Sequence, residues 1–291
     1  MKGRIVREQE GYKLPVVGKV KIGEMTKNAQ GKEYPRALDY FIGYGKYKDL
    51  FTQAYGEKPQ KIQILFISDD PADSCSERYE LRTPKGDVYA RGDGEIFDIW
   101  DAKAKAYKEF SIKEHPDLMY RAETKCNEGV EERKQTKWKV RLTLRFLLPK
   151  IANVMGLWSL ETGGELSSIG QIRDTFDFVQ SRAGTVTRVL FDLCVSKHKS
   201  QKPDDNSSYP VISLIPNMTD ENLLLLGKMR ETINFNKIAY LDDEKLLELK
   251  EAEVVQIPQT TQTVNVTPEI VEDMKKVMKG DDVDVPKLFK Y

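Results

Sequence analysis

The stretch Trp138–Leu148 constrains the fold more than any other part of the chain. Trp138, Val140, Leu142, Leu144 and Phe146 alternate with Lys139, Arg141, Thr143 and Arg145. A period of two places one set on one face of a strand and the other set on the opposite face. The segment therefore predicts a long strand with one apolar face and one cationic, wet face.

Other segments read in the same way. Arg36–Ile42 and Lys61–Ile67 are predicted strands, with a helix over Tyr47–Tyr55 between them that Gly56 can cap. A short strand is expected at Val16–Ile22. Arg78–Arg82 and Asp87–Ala90 form a predicted hairpin around Thr83-Pro84-Lys85-Gly86. Residues 95–130 show weak periodicity and define no clear element. Further on, Gly156–Leu160 reads as a short strand. Ser167 or Ser168 can cap a helix reaching about Arg182, with Ile169, Ile172, Phe176 and Val179 on one face and Gly184 at its end. Thr187–Ser196 and Tyr209–Ile215 are predicted strands.

This order predicts an α+β class: a mixed β-sheet core with ferredoxin-like or RRM-like strand–helix–strand units. Three regions are expected. Residues 1–35 form a basic N-terminal segment, 36–216 the α+β core, and 217–291 a helical, acidic C-terminal extension. Within the extension, helices are expected at about 219–233, 242–252 and 268–279, with a linker rich in Gln and Thr at Val254–Val266.

The 291 residues are 40% hydrophobic and 32% charged, so a core of ordinary size can form. No run of 18 or more apolar residues occurs, and no membrane span is expected. The first residues are charged and lack the apolar centre of a signal peptide. Cys75, Cys126 and Cys194 are far apart and form no disulfide framework, so a reducing cytoplasm is the expected compartment. Net charge is zero but unevenly spread. Residues 1–48 carry eleven Lys/Arg against five acids, and Arg133–Lys150 carries seven bases and no acid. From Asp242 to the end, twelve acids face seven lysines. Such blocks suit nucleic-acid or protein partners, although a solvated mixed surface has the same composition.

Enzyme signatures are sparse. There is no phosphate loop, no dinucleotide fingerprint and no Gly-x-Ser-x-Gly elbow. His115 and His198 stand without a motif, and no catalytic residue is assigned. Cys75, His115, Cys126 and His198 are too scattered for a four-ligand zinc site, so no metal or cofactor is expected. Asp69, Asp70 and Asp73, near Asp93 and Glu95, have the chemistry for a hard cation but lack a full calcium-loop pattern; a solvated turn accounts for them. Arg91-Gly92-Asp93-Gly94-Glu95 is the most distinctive short motif, a tight turn that allows close approach of backbone or ligand.

Lys137, Lys139, Arg141 and Arg145 form the best nucleic-acid candidate, since a cationic sheet face can follow a phosphate backbone. Lys197, Lys199 and Lys202 sit at the end of a neighbouring strand and extend the patch. Trp138 belongs to the apolar face and reads as core.

Two groups of residues resemble a known phage family. The first is Pro35-Arg36-Ala37-Leu38-Asp39-Tyr40-Phe41, Phe51 with Ala54-Tyr55-Gly56 and Lys58-Pro59, Tyr79-Glu80, and Arg91–Glu95. The second is Phe146-Leu147-Leu148-Pro149, Gly156-Leu157-Trp158-Ser159-Leu160-Glu161-Thr162-Gly163-Gly164, Phe191-Asp192-Leu193 and Tyr209–Leu214. In order and spacing, residues 18–216 resemble the recombination directionality factors that work with large serine integrases. Relatives are often labelled only as hydrolases or metal-binding proteins. The resemblance implies a binding role: contact with an integrase on DNA that switches it from integration to excision, with no catalytic residue of its own. It makes Arg91–Glu95 and the turn holding Trp158, Thr162 and Gly163 fold-defining. Family members commonly carry a cysteine where Gly92 stands, and more downstream, where this chain has Cys126.

Three functions are therefore weighed. The first is an accessory factor acting on a serine integrase or another nucleoprotein complex, with DNA or RNA contact and oligomer formation both open. The second is a single-strand RNA- or DNA-binding protein of ferredoxin-like, CRISPR-associated type. The third is a metal-dependent hydrolase using Asp93, Glu95 and His115.

Overall fold

A computed structural model describes residues 14–151, 153–187, 189–200, 207–229 and 241–248. The chain is α+β, built on an eight-stranded mixed sheet and a three-stranded antiparallel one. The elements are β1 (Val16–Lys27), β2 (Glu33–Tyr44), α1 (Lys48–Tyr55), β3 (Lys61–Leu65), α2 (Pro71–Ser74), β4 (Cys75–Arg82) and β5 (Val88–Gly92). They continue with β6 (Ile96–Asp101), β7 (Ala106–Ser111), α3 (Leu118–Cys126), β8 (Lys139–Phe146) and β9 (Leu157–Thr162). Then come α4 (Gly170–Ala183), β10 (Leu190–Lys199), β11 (Ser208–Pro216) and α5 (Asp220–Met229).

The large sheet runs β2-β1-β9-β8-β4-β5-β6-β7, and the small one β11-β10-β3. Both strand–helix–strand units predicted from sequence are present, as β2-α1-β3 and β9-α4-β10. Each begins in the large sheet and ends in the small one, so α1 and α4 connect the two sheets. All large-sheet pairings are antiparallel except β1 with β9. β1 is longer than the short strand expected, and the 35/36 boundary falls inside β2.

The core forms where the sheets and helices meet. Trp158, Phe41, Phe51, Phe66, Phe176 and Phe191 are among its largest fully buried side chains. Phe51 of α1 lies 5.8 Å from Trp158, ring centre to ring centre, and Phe66 packs edge-on against both Phe176 and Phe191. Two glycines make room for these rings. A Cβ on Gly18 would lie 2.5 Å from the Trp158 ring, and one on Gly43 would lie 2.7 Å from Phe51.

Helix α4 buries Ile172, Phe176, Val179 and Ala183, as its period predicts, and Gly184 ends it in the left-handed region at φ 68°. Its start differs from the expected serine cap. A π-helical turn over Glu165–Ile169 precedes it, and Ile169 occupies the cap position without a side-chain hydrogen bond. Ser168 Oγ instead accepts from Ile212 N at 2.9 Å, tying the turn to β11. A tertiary acceptor role has displaced the local cap. Residues 95–130 contain the β6–β7 hairpin and α3. β7 is exposed on both faces over most of its length, so no alternation marks it. The expected linker at Val254–Val266 and helix at 268–279 lie outside the described residues.

The acidic trio after β3 is structural. Asp70 caps α2 by accepting from Ala72 N, and Asp73 accepts from Ser68 Oγ. Half-buried Asp69 latches this loop to the turn after α4. Its carboxylate accepts from Thr185 Oγ1 and Val186 N, both at 2.7 Å, and from Thr187 N and Oγ1 at 3.2 and 2.9 Å. Burial alone would raise its pKa, but the bonds from Thr185, Val186 and Thr187 outweigh it and hold the carboxyl below its ordinary value.

A depressed carboxyl pKa stabilises the fold fully above the unfolded value, about 3.9 for Asp, and the contribution is lost as pH falls through the folded one. Stability measured by urea unfolding should therefore decline below about pH 4. Asp69→Asn should flatten that decline while losing about 2–3 kcal/mol at pH 7. An acid limb unchanged by the substitution would remove Asp69 from this role.

Candidate functional site

The outward face of the large sheet carries the predicted cations. Register puts Lys139 opposite Glu80, Arg141 opposite Arg78, and Arg145 opposite Ser159, so all three bases of β8 share one face. Directly opposed residues in an antiparallel pair point to the same side, which brings Arg78, Glu80 and Arg82 of β4 to that face as well. β9 contributes Ser159 and Glu161, and Lys19 of β1 lies beside Ser159.

Glu80 organises the centre. Its side chain is 1% exposed. Arg82 Nε donates to one carboxylate oxygen at 2.6 Å and Arg78 Nε to the other at 3.2 Å, while Arg141 Nε lies 3.9 Å away. Burial would raise the Glu80 pKa; the hydrogen bond and charge of Arg82, followed by Arg78, reverse the shift and lower it. One carboxylate thus faces three guanidiniums, each partly exposed, and positive charge is left over. Arg141 also explains Gly163: a Cβ there would sit 2.7 Å from the guanidinium.

Two depressions adjoin on this face. The larger, about 560 Å³, is lined by Lys19, Lys21, Arg36, Arg82 and Arg141, with Glu161 the only acid among its described lining residues. The smaller, about 300 Å³, contains Glu80, Lys137 and Lys139 and shares Arg82 and Arg141 with it. Pro210 of β11 lines the larger one and is opposite Lys197 of β10, but β10 belongs to the small sheet rather than neighbouring β8, and neither Lys197 nor Lys199 lines either depression.

The predicted site residues divide into distinct sets. Lys137, Lys139, Lys197 and Lys199 are exposed. Arg145 is on the expected face, yet its guanidinium donates to the carbonyls of Ala72 and Asp73 at the end of α2. Lys202 lies outside the described residues. Trp138 is half-buried, donates to Met119 O and packs edge-on against Phe97, so it belongs to the core as its face predicts. Trp158 and Thr162 are buried in β9.

Arg91–Glu95 is a turn joining β5 and β6. Asp93 Oδ1 accepts from Glu95 N and Ile96 N, both at 2.8 Å, and Gly94 takes φ +106°. Arg91 pairs with Asp98 at 3.3 Å and lies over Tyr107. At Gly92, a Cβ would approach Ile96 O and the Phe97 ring to 2.4 Å. A side chain at this position has no room.

Sequence reading passed over Glu80, Arg78 and Arg82 as members of a site. Their signal was present in the spacing Arg78, Glu80, Arg82, a period of two that puts a charged triplet on one strand face. Among the described residues, no group of three or more His, Cys, Asp or Glu is arranged to hold a metal, and Asp93, Glu95 and His115 form no such group. The cysteines are free. Burial pushes the Cys75 thiol up to about 12 and raises Cys126 and Cys194 as well, so none offers a thiolate nucleophile near neutral pH. Among the described residues, no helix is long and apolar enough to cross a membrane.

Fold and site together define an α+β chain with a cationic sheet face around a buried acid. A family model described as Gp3-like, recombination directionality factor-like, matches residues 17–217, and the chain belongs to this family. An accessory role in recombination follows from that membership, and the family is not a known enzyme class. No curated protein and no solved structure matches the chain.

Proposed function

We propose that the protein is a mobile-element accessory factor that binds a serine integrase–DNA complex and biases site-specific recombination toward excision. The observation that carries this reading is the family match over residues 17–217, which spans β1 through β11. Of the family motifs, Trp158 fills the core and Gly163 lies against the Arg141 guanidinium. The basic sheet face adds a surface suited to a nucleoprotein partner, with Lys137, Lys139 and Arg141 on it. A single-strand-binding function calls for aromatic faces on which bases stack, and among the described residues none lines the groove.

The test is an excision reaction between attL and attR with purified cognate integrase. Adding the protein is expected to convert an inactive reaction into a productive one, and to suppress the integrative reaction. Recombination of both kinds that ignores the protein would sink the proposal.

A further inference from the structure

We infer that the groove of the large sheet is a binding site for the phosphate backbone of duplex DNA. The inference deepens the preceding reading by giving this face a ligand of its own, and it requires no integrase.

Three observations carry it. First, the groove is strongly one-signed: Lys19, Lys21, Arg36, Arg82 and Arg141 face one acid, Glu161. The whole chain has zero net charge, so this concentration is local to the groove. Second, its cations are not consumed by each other's partners. Among the described residues, no ion pair engages Lys19, Lys21 or Arg36. Arg82 and Arg141 share one buried carboxylate with Arg78, which holds their guanidiniums in place without neutralising them. Pre-positioned guanidiniums suit phosphate, since their fork of donors matches its oxygens and less side-chain freedom is lost on binding.

Third, among the described residues the lining contains no aromatic side chain. Trp158 and Trp138 are taken by the core, and exposed Tyr44, outside the lining, has the Lys21 ammonium 3.6 Å from its ring centre. A single strand gains much of its affinity from base stacking, which the described lining does not offer. A duplex presents its phosphates on the outside at high density, and cations alone can read them.

The test measures fluorescence anisotropy of a labelled duplex of about 20 base pairs, of arbitrary sequence, titrated with the full chain over a range of salt concentrations, without integrase. A triple variant, Lys19→Gln, Lys21→Gln and Arg36→Gln, removes three exposed groove cations. A control triple, Lys85→Gln, Lys103→Gln and Lys113→Gln, removes three exposed lysines from hairpin ends elsewhere. Thermal melting checks that both remain folded.

The wild type is expected to bind with a steep salt dependence. The groove triple should bind at least about tenfold more weakly at low salt, with the slope of log affinity against log salt reduced by about two to three. The control should differ little from the wild type. No duplex binding at 50 mM salt, or equal losses in the two triples, would overturn the inference. So would groove-dependent binding that favours a single strand of the same length. Capture of integrase that needs the three groove cations, with no duplex bound, would reassign the groove to an acidic protein surface. A protein that drives excision yet ignores free duplex would refute the DNA site alone and leave the accessory function standing.

Discussion

Trp158→Ala is expected to destabilise the protein by about 3–5 kcal/mol, the usual range for deleting a large buried aromatic. The Trp158 ring is 1% exposed, faces Phe51 and rests on the bare backbone of Gly18. No neighbour can easily collapse into the space. Equilibrium unfolding in urea measures the loss, which should appear as a lower midpoint with an unchanged slope. Gly18→Ala provides the complementary probe. Its added methyl would lie 2.5 Å from the indole, an overpacking that typically costs about 1–3 kcal/mol. In a Trp158→Leu background the same methyl has space, so the two changes should be strongly non-additive. Additivity within about 0.3–0.5 kcal/mol would mean that the ring and the glycine do not meet.

Glu80→Gln is also expected to destabilise the fold. It leaves three guanidiniums facing one another without the carboxylate that holds them. Breaking a fully buried ion pair costs about 3–5 kcal/mol. Here the arginines remain about a third exposed and water screens them, so about 2–3 kcal/mol is expected at neutral pH. The Glu80 pKa is depressed in the fold, so its contribution is present above about pH 4.3 and fades as pH falls. The difference between wild type and Glu80→Gln should therefore shrink toward pH 3. A double-mutant cycle with Arg82→Gln isolates the shortest contact, at 2.6 Å. A coupling energy near zero would show that Glu80 does not organise the arginines.

The candidate site was partly legible in advance. Lys139 and Arg141 could be assigned to one strand face from the alternation of Trp138–Leu148 alone. The same alternation placed Arg145 with them, but its partners are the carbonyls of Ala72 and Asp73, more than seventy positions away in sequence. Period-two spacing fixes the face of a side chain and says nothing of what the next layer offers it. For the same reason Ser168 looked like a helix cap and became an acceptor for β11.

What the sequence determined by itself is local. Alternation defined β8 and β10, and Pro216 closed β11; a 3.6-residue period defined α4, and Gly184 stopped it. Glycine, proline and threonine marked the β4–β5 hairpin, and the motif around Trp158 marked the family. Only the tertiary structure decided that β1, far away in the chain, lies parallel to β9, and that β4 joins the opposite edge of β8. Those pairings bring Lys19, Lys21 and Arg36 to the same groove as Arg82 and Arg141. Non-local pairing depends on which buried faces fit together, and that fit leaves no trace in the spacing of residues along a single strand.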